Sequence, residues 1–157
     1  MTFEMRILQP SDLDAVLQLE REILKTQPSF VERSELENEM LEWHAPWRKE
    51  ALEHYLPLGW SFGLWTAAND QLSGYFLAQP QVFTRGLTQS LWVERLTAPD
   101  ASTRDQLLDV AYRLCREKHF QKLFIRQSES LVPLTTDLPF KIERHEDQVY
   151  EIKTSKM

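Results

Sequence analysis

Apolar and polar positions alternate along 91–97, with Leu91, Val93 and Arg95 on one side of the pattern and Trp92, Glu94 and Leu96 on the other. A two-residue period is that of a strand, and Ala98-Pro99-Asp100 ends it. Helical spacing follows at once, with Leu107, Leu108, Ala111, Leu114 and Cys115 on one face. Ser102 and Asp105 read as a capping box at its start, and Lys118-His119 places positive charge in the last turn, where the helix dipole favours it. Lys122 to Arg126 is a strand again. Strand, helix and strand joined this closely form a crossover unit, so 91–97 and 122–126 are expected side by side and parallel.

The same two periods organise the rest. Phe3, Met5 and Ile7 alternate with Glu4, Arg6 and Leu8 until Pro10 stops the strand. Ser11 to Asp14 repeats the capping pattern and opens a helix with Leu13, Val16, Leu17 and Leu24 inward, ending near Thr26-Gln27-Pro28. Ser34 to Leu56 is helical, and Pro46 divides or kinks it, because proline removes a helix hydrogen bond and crowds the preceding turn. After Pro57-Leu58-Gly59 the period shortens to two. Trp60, Phe62 and Leu64 alternate, Ala68-Asn69-Asp70 turns, and Leu72 to Ala78 completes a hairpin. Pro80 requires a bulge or an edge, and Thr84-Arg85-Gly86 reads as the turn into 91–97. A short helix fits within Ser128 to Pro139, and Phe140–Arg144 with Gln148–Lys153 makes a terminal hairpin. The class is α/β (α+β): a single domain over 1–157, with a mixed central sheet and flanking helices.

Composition narrows the partners. At 157 residues and 42% hydrophobic the chain can bury one core. A net charge of -6, with no basic stripe, argues against nucleic acid or an anionic membrane surface. No apolar run approaches a membrane span, and Met1-Thr-Phe-Glu is not a signal peptide, so a cytoplasmic location is expected. Cys115, the lone cysteine, reads as a small buried hydrophobe. The four histidines show no metal-ligand spacing, so no metal is expected.

The order strand, helix, helix, three strands, helix, strand, short helix, strand pair resembles the GNAT superfamily of N-acetyltransferases over nearly the whole chain. The resemblance is carried by Met5 to Val16 as opening strand and first helix, the Asn69-Asp70 hairpin, the central strand at 91–97, and Leu138-Pro139-Phe140-Lys141, where members often have a Leu-Gly-Phe-Lys-like turn. It implies transfer of an acyl group from acetyl-CoA or another acyl-CoA to a small-molecule or protein amine. The donor would lie beside the end of the central strand, its pantetheine arm on that strand's backbone around Leu96, and its pyrophosphate on the amides that open the next helix. Members carry a glycine-containing loop there. Here Pro99 to Leu108 is short and holds no glycine, leaving Ser102, Thr103 and Arg104 as the residues for the phosphates beside Asp100 and Asp105. Weak or absent donor binding is the expectation.

Other candidates stay double. Glu94 is either the carboxylate that takes the amine's proton or a strand residue paired with a neighbouring arginine. The tyrosine that serves many members as general acid has Thr135 at its place. Glu35, Glu37, Glu39 and Glu42 attract a cationic amine or form a solvated face; Trp43 and Trp47 line an acceptor pocket or partner surface, or pack. Three functions follow: a diverged N-acyltransferase, a non-catalytic protein of this fold that binds a small molecule or protein, or a self-associating structural module.

Overall fold

The computed structural model describes residues 2–83, 88–135 and 138–154. Alternating segments become β1 (Phe3–Ile7), β2 (Phe62–Thr66), β3 (Gln71–Phe83), β4 (Thr88–Thr97), β5 (Lys122–Arg126), β6 (Ile142–Arg144) and β7 (Val149–Lys153). They form one sheet in the order β1-β2-β3-β4-β5-β7-β6. β4 and β5 run parallel, pairing Ser90 with Lys122 through Val93 with Ile125. Every other neighbouring pair is antiparallel. This is the mixed sheet and crossover that the spacing predicts.

The helical segments are α1 (Leu13–Thr26), α2 (Glu35–His44), α3 (Lys49–Tyr55) and α4 (Ala101–Glu117). Pro46 does separate two helices, and Ala45 and Trp47 on either side of it are buried. α4 covers one face of the sheet, where Leu107, Leu108, Ala111 and Cys115 meet Leu91, Val93, Leu96, Leu123 and Ile125. α1 and α3 cover the other, bringing Val16, Leu17 and Leu52 against Leu8, Tyr75 and Leu77. α2 buries none of its residues. No described helix is long and apolar enough to cross a membrane.

Four details differ from the pattern. The period of two does not run unbroken through 91–97: opposite Leu77 and Ala78 of β3 stand Arg95 and Val93, so Glu94 is an inserted residue, a β-bulge. Beyond it Arg95 and Thr97 face α1, while Leu96 joins Leu91 and Val93 beneath α4. Asp100, not Ser102, caps α4, its Oδ1 accepting the Thr103 amide at 2.7 Å. A three-residue 3-10 turn, Pro10–Asp12, precedes α1, and the capping box is made by Gln9 and Asp12 rather than by Ser11 and Asp14, the Gln9 amide donating to Asp12 at 2.8 Å. Between Ser128 and Thr135 the described chain is extended and turned, not helical, and Leu131 forms an isolated parallel bridge to Ala98. Pro80 sits opposite Leu91 beyond the last β2 partner, Phe76, so its missing N–H lies on an unpaired side. The turn read at Thr84 to Gly86 lies outside the described residues.

Candidate functional site at the split between β4 and β5

β4 and β5 pair only as far as Val93 and Ile125. Beyond that the bulge turns β4 away and the two chains separate, to meet again where the Ala98 amide donates to the Ser130 carbonyl at 3.0 Å. The opening so framed has Glu94 to Thr97 on one side and Arg126 to Ser130 on the other.

Glu94 stands at its start, half-buried, on the face that looks toward α3. Its carboxylate accepts from the Trp92 indole N–H at 2.6 Å and lies 3.3 Å from Arg126 Nε. The Arg126 guanidinium in turn covers the Trp92 ring at 5.4 Å. Both readings of Glu94 therefore share one geometry, a carboxylate at the opening with an arginine partner half exposed to solvent. The buried Tyr55, at the end of α3, belongs to the same neighbourhood. Burial, with the Glu94 charge second, pushes its hydroxyl up to about 12, so it is protonated at neutral pH. Nothing in the spacing of α3 singles Tyr55 out.

Deeper in, Arg95 and Glu20 form an ion pair with both side chains almost wholly enclosed, Nη2 to Oε2 at 2.6 Å. Tyr75 donates to Glu20 at 3.1 Å, and the Thr97 hydroxyl donates to the same oxygen. Arg95 reaches Thr97 through Nε at 3.2 Å and the exposed Glu129 through Nη1 at 3.3 Å. Burial, then Glu20, raise the Tyr75 hydroxyl well above 10. For Arg95 burial acts to lower, but Glu20, Tyr75 and Glu129 outweigh it and hold the group above its ordinary value. Sequence patterning missed this network, because unbroken alternation puts Arg95 on the α4 face.

The remaining residues read from the sequence are engaged within the chain. Leu96 is fully buried in the α4 core. Ser102 is exposed, and its hydroxyl accepts from Gln106 Nε2 at 3.4 Å. The Thr103 amide is held by Asp100 Oδ1 and the Arg104 amide by the Asp100 carbonyl at 3.1 Å. Arg104 is buried, with Nη1 donating to the Pro133 carbonyl at 2.6 Å and Nε to Asp105 at 2.9 Å. At the start of α4 the Arg104 guanidinium is turned inward and the Asp100 carboxylate holds the Thr103 amide, so a pyrophosphate there would have to displace Asp100. Residues 128–133 thus form a strap along the end of β4. Ser130 O holds Ala98, the Ser130 hydroxyl meets Thr97 at 3.1 Å, Leu131 is buried in the α4 core, and Pro133 holds Arg104.

Of the aromatic pair around Pro46, Trp47 packs in the α1 and α3 core and Trp43 is exposed. Glu42 takes Arg21 at 2.5 Å, leaving Glu35 and Glu39 exposed on the same flank. On the β6–β7 hairpin, Glu143, His145 and Glu151 bring their donor atoms within 4.8 Å of one another. Lys122 already pairs with Glu151 at 3.3 Å, and Lys141 and Lys153 line the same hollow, so the local field does not favour a cation.

No family model matches the chain, and no curated protein matches it. Solved structures do. A GNAT-family acetyltransferase from Staphylococcus aureus Mu50 superposes with a TM-score of 0.63 over 98% of this chain and 100% of its own, at 10% identity. The PaiA N-acetyltransferase of Thermoplasma acidophilum, solved with coenzyme A, gives 0.59 over 98% of each chain at 17% identity. A GNAT-family acetyltransferase from Listeria monocytogenes 4b F2365 gives 0.58 over 96% of this chain and 93% of its own, at 15% identity.

Proposed function

Because the chain has the fold of the GNAT acetyltransferases along nearly its whole length, we propose that it is a diverged N-acyltransferase. It moves an acyl group from acyl-CoA to an amine at the split between β4 and β5, the amide C–N bond forming as the thioester C–S bond breaks and coenzyme A leaving as the thiolate, which takes a proton from solvent. The observation that carries this reading is the bulge at Glu94, which brings a carboxylate to the mouth of that split on the face opposite α4. Glu94 is the acceptor for the amine's proton, a role that needs a carboxylate within hydrogen-bond reach of the nitrogen. The donor is gripped weakly. Two or three missing amide bonds to the pyrophosphate remove about 3 to 9 kcal/mol, and the pantetheine arm must take the Ala98 amide from Ser130.

Calorimetric titration with acetyl-CoA is therefore expected to show no saturation below about 100 μM, a bound near 5.5 kcal/mol. Millimolar acetyl-CoA with a panel of primary amines should give turnover that Glu94→Gln lowers by ~10² without changing the melting temperature. Unchanged turnover in Glu94→Gln assigns the proton acceptor elsewhere. The strap supports a second reading, a protein of this fold that binds a partner without catalysis; absence of turnover with every amine at millimolar donor would put that reading first.

A further inference from the structure

α2 is built the wrong way round for a helix on a protein surface. Asn38 and Glu42 face the body of the molecule, donating to the Phe30 carbonyl at 3.2 Å and accepting from Arg21 at 2.5 Å respectively. Leu36, Met40 and Trp43, spaced i, i+4, i+7 and so aligned on one face, are instead 59%, 45% and 59% exposed. An amphipathic surface helix ordinarily does the reverse. Aromatic and methionine side chains in such a stripe are the composition of protein interfaces rather than of solvated faces.

The border of the stripe is acidic. Glu35 and Glu39 lie along one flank and Glu37 along the other. Among the described residues neither Glu35 nor Glu39 is in an ion pair, while Glu37 is held by Ser34 in the capping box. Their charge is therefore available to a partner. Glu35 and Glu39 also line a 580 Å³ cleft between α1 and α2 together with Leu24, Phe30 and Val31, and the cations of that cleft are already engaged, Arg21 by Glu42, Lys25 by Glu22 and Arg33 by Asn38 and Ser29.

We propose that α2 is a docking helix whose Leu36, Met40 and Trp43 stripe receives an amphipathic helix of another protein with Lys or Arg on both flanks. The charge decides between occupants. In a second copy packed antiparallel about Met40, a two-fold axis sets each flank against itself, so Glu39 meets the Glu39 of its twin and only Glu37 finds a base, His44. An anionic lipid surface meets the same acidic border and is repelled. A basic-flanked helix satisfies both flanks and buries the stripe, the helix-in-groove mode of recognition. This surface stands independently of acyl transfer.

The test uses the full chain and two synthetic 18-residue helical peptides with leucines at i, i+4, i+7, one with lysine flanks and one with glutamate flanks. Fluorescence anisotropy should give saturable binding of the lysine peptide, weakened at least tenfold at high salt and absent for the glutamate peptide. Met40→Glu should abolish binding, and Glu35→Lys with Glu39→Lys should weaken it about tenfold or more, with the melting temperature unchanged in both. Equal binding of the two peptides, no binding of the lysine peptide below about 100 μM, or binding indifferent to Met40→Glu overturns the proposal. So does a dimer in sedimentation at those concentrations that Met40→Glu dissolves, since the stripe then belongs to a second copy.

Discussion

Arg95 and Glu20 show what one inserted residue does to the chemistry around it. The guanidinium and carboxylate are each enclosed, so each depends on the other for solvation. Glu20→Ala leaves the buried cation with the exposed Glu129 as its remaining carboxylate partner, and a loss of about 3 to 5 kcal/mol in urea denaturation is expected. Glu129→Ala removes an exposed partner of the same arginine and should cost under about 1 kcal/mol. Neither number was readable from the sequence. Glu20 sits among polar helix residues, and Arg95 falls on the apolar side of the alternation until the bulge moves it. Cys115 was legible, because helical spacing alone puts it in the core. Burial pushes its thiol up to about 12, against a lowering contact from the Leu91 backbone. A thiol reagent at pH 8 should leave it unmodified in the native protein and react once denaturant is added.

Among the elements, α4 owes its seat to a glycine in another strand. At Gly74 of β3 a Cβ would stand 2.6 Å from Thr103 Cγ2 and 2.8 Å from the Thr97 carbonyl, so the start of the helix lies directly on the strand. Gly74→Ala must lift α4 or bend β4, and we expect a loss of about 1 to 3 kcal/mol in the same denaturation experiment. Periodicity located every one of the four helices and the hairpin at Asn69-Asp70, because each repeats its signal over several residues. It misplaced the caps of α1 and α4, where Ser11 and Ser102 compete with neighbouring aspartates and only backbone direction chooses. The short helix expected within Ser128 to Pro139 is not found over 128–135 for a similar reason. The one strong anchor there, Leu131, is a single apolar residue and carries no period.

For the whole molecule, the sheet divides two cores of unequal character. The α4 side holds the larger apolar cluster, with Arg104 buried at the start of the helix, while the α1 side encloses the charged network. Three acids are held protonated by this packing: Tyr55 and Cys115, each pushed up to about 12, and Tyr75, further still. Their folded values lie above their unfolded ones of 10.0 and 9.0, so their contribution is complete below pH 9. Above it the unfolded chain gives up protons that the folded chain keeps, and stability falls as pH rises toward 12. Melting temperatures at pH 8, 10 and 11 should descend in that order, less steeply above pH 10 in Tyr55→Phe. The parallel β4–β5 crossover and the two hairpins were legible because short connections leave them few arrangements, but the place of β1 at the edge and of β7 between β5 and β6 was not. The site was legible only as positions, because whether Arg104 points outward or inward is decided by the strap. That strap also sets a clock. A ligand that takes the Ala98 amide cannot arrive faster than Ser130 lets go of it, so its observed association rate should level off with concentration instead of rising without limit. The plateau should equal the opening rate read independently from hydrogen exchange at that one amide.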